Sequence, residues 1–110
     1  MIFKALYFYL LMKYDQELRA EIEEYLDYAI VVEGKKDVLS LKALGFVKVY
    51  AINEDGVSLK ERIEKIALLV GKKDKICILT DFDRKGKQLY FILKKELGEL
   101  GVRLNSSLRR

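Results

Sequence analysis

The chain has 110 residues, 51% of them hydrophobic and 35% charged, with a formal net charge of +4 and a pI near 9.1. That describes one domain with enough apolar content for a core, and it is too short for a complete multi-domain polymerase, topoisomerase or helicase. Histidine is absent and Cys77 is the single cysteine, which excludes zinc centres and His-based triads and leaves any metal to oxygen ligands: magnesium, manganese or calcium.

In chain order, residues 1–27 read as helix, divided in two where Asp15 starts the second. Phe3, Leu6, Tyr7, Leu10, Leu11 and Tyr14 follow helical spacing, while Ile2, Ala5, Phe8, Tyr9 and Met12 make the other side apolar too. A helix apolar all round needs a cover. The apolar run is about half the roughly 20 residues that a membrane span requires. Lys4 interrupts it, and no small-x-small cleavage site precedes Asp15. These features predict a cytoplasmic protein without a membrane segment, whose residues 1–27 pack on the domain or form the interface of a homodimer or with a partner protein.

From Tyr28 onward strands and helices alternate. Residues 29–32 are an apolar, β-branched strand, 37–44 a short helix stopped by Gly45, and 47–52 a second strand. Asn53, Glu54, Asp55 and Gly56 form a turn. Ser58 then opens a helix with Glu61 three positions on, the spacing of a capping box. Ile63, Ile66, Ala67 and Val70 give that helix its buried stripe, and Gly71 ends it. Residues 76–80 are the third strand and 85–100 the longest helix. Residues 102–104 form a short fourth strand. Strands joined by helices imply a parallel sheet with right-handed crossovers and both faces covered. Cys77, inside the third strand, reads as a small buried hydrophobe.

Two strands run directly into chemistry-bearing residues. The first leads into Glu33, Gly34, Lys35, Lys36 and Asp37, the third into Asp81, Phe82, Asp83, Arg84, Lys85 and Gly86. In extended backbone, side chains at i and i+2 share a side, so Asp81 and Asp83 can reach one ion. If the first and third strands are neighbours, about 5 Å apart, Glu33 joins them in one crevice at the topological switch point. Three carboxylates that close repel unless a divalent cation binds or one takes a proton, and a glutamate of raised pKa suits acid–base work. Arg84, Lys85 and Gly86 open a helix whose free N–H groups favour phosphate, and Lys35 and Lys36 supply a second cationic flank. Lys94, Lys95, Arg109 and Arg110 read as solvated surface.

This pairing, Glu33-Gly34-x-x-Asp37 after one strand and Asp81-x-Asp83 with Gly86 after a later one, resembles the Toprim domain. The resemblance spans residues 28–104 and is strongest to small stand-alone archaeal Toprim proteins. It implies an α/β, Rossmann-like fold with a four-stranded, mainly parallel sheet in the order 2-1-3-4. The Toprim domain would occupy residues 28–110, after an N-terminal helical extension over 1–27. It further implies Glu33 as general acid or base, Asp81 and Asp83 as ligands of Mg2+ or Mn2+ with help from Glu33, and Gly34 and Asp37 in support. The expected partner is nucleic acid, RNA or DNA, and the expected activity Mg-dependent phosphodiester cleavage in a nuclease or RNA-processing component. Two alternatives remain: a non-catalytic module binding nucleic acid or protein, and a primase-like nucleotidyl-transfer module.

Overall fold

A computed structural model describes residues 16–71, 74–80 and 83–104. In chain order these form α1 (Gln16–Glu23), β1 (Ala29–Val32), α2 (Lys35–Ala43), β2 (Val49–Ala51), α3 (Leu59–Val70), β3 (Lys75–Leu79), α4 (Arg84–Glu99) and β4 (Arg103–Leu104). The expectation of an apolar helix before Asp15 falls on residues outside this set.

The four strands make one sheet in the order β2-β1-β3-β4, every pair parallel. Each strand sends alternate side chains to opposite faces, as the two-residue period requires. Ala29 and Val31 of β1 and Ile76 and Ile78 of β3 join Ile63, Ile66, Leu93 and Leu97 from α3 and α4. Ile30, Val32, Cys77 and Leu79 join Leu41 of α2 and Leu44 and Phe46 beyond it on the other face. Because both faces are covered, β1 is fully buried along its length, which explains why it reads as a continuous apolar run rather than an alternating one.

Local chemistry sets the helix ends. Ser58 accepts a hydrogen bond from the Glu61 N–H at 3.2 Å, the hydroxyl arm of the expected capping box. After α2, the N–H groups of Gly45 and Phe46 bond the carbonyls of Lys42 and Leu41. After α4, those of Gly101 and Val102 bond Gly98 and Leu97. Both are Schellman closures, and both place glycine at positive φ, 108° and 84°.

From Tyr28 onward, two elements start two residues away from the sequence expectation. Helix α2 begins at Lys35, two residues early, because Gly34 takes an extended conformation as its cap and Asp37 then lies in the first turn. Strand β2 covers only Val49–Ala51 rather than 47–52, and Val47 is 75% exposed. The apolar pattern alone does not show where β2 leaves β1.

Candidate metal and phosphate site

The register of the sheet fixes the geometry of the rim. Val32 pairs with both Ala51 and Leu79, so β1, β2 and β3 end at one level, and Glu33, Ile52 and Thr80 each come one residue later. Backbone bonding persists past the strands: the Ile52 N–H donates to the Val32 carbonyl at 2.8 Å, and the Asn53 N–H to the Glu33 carbonyl at 2.9 Å. Glu33 is therefore held on the sheet's own lattice and not on a free loop.

Around it lies a cleft of about 470 Å³ lined by Glu33, Gly34, Lys35, Lys36, Asp37, Asn53 and Asp55. Five of these seven belong to the first sequence motif. Asp37 is buried, and its Oδ2 accepts from the Gly34 N–H at 3.3 Å, tying the first turn of α2 back to the end of β1. A Cβ built on Gly34 would meet nothing within 4 Å, so this glycine leaves open space beside the cleft.

Across the β1–β3 pair, the second motif opens α4. The Asp83 Oδ1 accepts from the Gly86 N–H at 2.7 Å as the cap of that helix. Gly86 is buried, and its N–H is engaged by Asp83. Arg84 and Lys85 are exposed beside it. Asp81 lies outside the described residues, and among those described no group of three or more His, Cys, Asp or Glu residues is clustered tightly enough to hold a metal ion.

The donor chemistry fits a hard divalent cation. Glu33 and Asp83 are oxygen donors following adjacent strands, whereas Cys77 is buried and its thiol is pushed up to about 12 by desolvation. A group so reluctant to become a thiolate does not serve as a soft-metal ligand.

The cations are placed against the usual sign. A helix N-terminus favours acidic side chains, yet α2 starts with Lys35 and Lys36, and α4 starts with Arg84 and Lys85 and has no acid in its first turn. Helix stability does not select that arrangement.

The sequence profile of the Toprim domain matches residues 28–107, most of the chain and both motifs. The chain belongs to the Toprim family. Toprim domains are nucleic-acid-related, metal-binding modules whose typical ion is Mg2+. The chain is 38% identical over 105 residues to a UPF0292 protein of Methanocaldococcus jannaschii, covering 94% of this chain and 76% of that protein. It is 34% identical to a UPF0292 protein of Methanosarcina acetivorans and 37% identical to one of Pyrococcus abyssi, over 86% and 76% of this chain. It spans 64% and 60% of those two relatives' lengths. A solved structure of a protein from Aquifex aeolicus superposes with a TM-score of 0.67 at 23% identity, covering 82% of this chain and 80% of that one. That likeness concerns the fold. No helix among the described residues of this Toprim chain is long and apolar enough to cross a membrane.

Three contributors to the Toprim rim were not singled out by sequence reasoning. Asn53 passed as a turn residue, although its backbone bonds Glu33 and it lines the cleft. Arg62, read only as part of a helix, donates from Nε to the Ala51 carbonyl at 2.7 Å and pairs with Glu54 at 3.3 Å. Thr80, read as the last strand residue, is a fully buried hydroxyl. A lone polar residue ending an apolar strand was the signal available for Thr80; the other two depend on tertiary placement.

Proposed function

We propose that this Toprim chain binds Mg2+ between Glu33 and the carboxylates after β3, and acts there on nucleic-acid phosphodiesters as a nuclease or RNA-processing component. The observation that carries the reading is the register of β1 with β3, which brings the ends of the two motif-bearing strands side by side. In this reading Asp81 and Asp83, with Glu33, hold the cation. Bound there, the cation would neutralise charge on the phosphate oxygens. Glu33, half-buried in the cleft, moves the proton of the attacking or leaving oxygen. Lys35 and Lys36 on one side, and Arg84 and Lys85 on the other, hold the flanking phosphates. Asp37 keeps the turn after Glu33 in place through Gly34. RNA is favoured over DNA only by analogy to stand-alone Toprim maturases.

Incubation of end-labelled structured RNA and duplex DNA with the protein, with Mg2+ and with chelator, tests this reading. Cleavage should require the metal and should fall at least about 100-fold in Asp81→Asn and Asp83→Asn. Cleavage untouched by these substitutions would place the activity elsewhere.

A second reading follows from the Asp83–Gly86 bond, which shows that this aspartate already has a structural task. If capping is its whole role, the chain is a binding module that keeps the fold without turnover. Nucleic-acid binding would then survive chelation and weaken steeply with salt.

A further inference from the structure

The loop between β3 and α4 is held from both flanks by a single residue. Before it, the Thr80 hydroxyl donates to the Gly86 carbonyl at 2.8 Å, and Thr80 is 0% exposed. After it, Asp83 accepts from the Gly86 N–H at 2.7 Å. Both polar groups of the Gly86 backbone therefore take part, one bonded to the end of β3 and the other to the cap of α4. Cap chemistry requires the Asp83 bond, because the first N–H groups of a helix lack internal partners. At position 80 a valine would fill similar space at the end of an apolar strand without supplying a donor. A hydroxyl in this fully buried position loses its water and must regain a hydrogen bond inside the protein. The Gly86 carbonyl that it bonds is on the first turn of α4, and the same sheet level carries Glu33.

We infer that Thr80 is a positioning residue for the carboxylate site: through Gly86 it ties the end of β3, at the level of Glu33, to the first turn of α4, whose cap is the Asp83 carboxylate. The inference rests on the carboxylate reading proposed above. Thr80 touches neither metal nor substrate. It acts through the backbone, as outer-shell groups do when they hold ligand-bearing segments in place.

The discriminating pair is Thr80→Val, which keeps the shape and removes the donor, and Thr80→Ser, which restores the donor in a smaller side chain. Mn2+ is the probe, titrated against the full chain by electron paramagnetic resonance. Amide exchange at Gly86 and thermal melting are followed in the absence of metal. Thr80→Val should weaken Mn2+ binding about 10-fold or more and speed Gly86 exchange, and Thr80→Ser should recover both even if it melts lower. Unchanged affinity and exchange in Thr80→Val would overturn the inference. So would affinity that follows melting temperature across both variants, since packing alone would then explain it. Absence of Mn2+ binding by the unsubstituted chain would instead overturn the carboxylate reading. The exchange comparison would then decide by itself whether the loop clamp exists.

Discussion

Asp83 combines two tasks that a single substitution confounds. Its carboxylate caps α4 through Gly86, and in the proposed site it also supplies charge to the cation. Asparagine caps as well as aspartate, whereas alanine does not. Asp83→Ala should therefore lose about 1 kcal/mol of stability in urea denaturation, while Asp83→Asn should keep stability and lose Mg2+ affinity. Equal stability losses in both would show that charge, not the cap bond, stabilises this turn. Cys77 makes a different residue-scale case. Burial raises its thiol from 9.0 to about 12, so in this pH range the unfolded chain loses the proton before the native state does. The contribution is complete below about pH 9 and is lost as pH rises toward 12. Stability curves for the native chain and Cys77→Ala should run parallel below pH 9 and converge above it. The native thiol should also resist maleimide at pH 8 until the chain unfolds.

At the scale of elements, the cleft depends on two segments that strands β1 and β2 release at the same level. One is the first turn of α2, locked by Asp37 on Gly34. The other is the β2–α3 loop, held at its base by the Asn53–Glu33 backbone bond and from α3 by Arg62. The Arg62 side chain is largely buried, 13% exposed, and its Nε bond to Ala51 is short. It therefore contributes more than a surface ion pair such as Lys48–Asp74, whose partners are 42% and 34% exposed. Arg62→Met keeps the aliphatic stem and removes both polar contacts. It should cost about 1.5 kcal/mol and speed amide exchange across residues 53–57, leaving the first turn of α2 unchanged. Uniform loss of protection through the sheet would instead assign Arg62 to global stability.

Across the whole molecule, the alternation of strand and helix and the two carboxylate motifs are enough to place the chain in the Toprim family with sheet order 2-1-3-4. The strands and helices were legible because β-branched runs, Ser58, Gly45, Gly71 and Gly101 act locally. Residues Glu33 to Asp37 were legible as a group because they are contiguous in sequence. The contributions of Arg62, Asn53 and Thr80 were not, because each follows from register and contacts between segments distant in sequence or from which backbone atom a side chain reaches. The site's electrostatics are likewise a property of the assembled fold: Lys35 and Lys36 are 49 residues from Arg84 and Lys85 in sequence, yet they flank adjacent strand ends. If all four contact phosphates of a single strand, the logarithm of the binding constant should fall with the logarithm of salt concentration with a slope of about −3. Substituting Lys35 and Lys36 together should reduce that slope by about 1.4. A slope unaffected by that change would move the nucleic-acid contact to another face.

The most direct measurement is a double-mutant cycle on Mn2+ affinity with Glu33→Gln, Asp81→Asn and their combination, read by electron paramagnetic resonance on chains verified as folded. One shared site predicts that each single substitution weakens binding and that the combined loss falls short of the sum, because removing either ligand devalues the other. Strictly additive losses, or binding unchanged by Glu33→Gln, would contradict the claim that the ends of β1 and β3 build one metal centre.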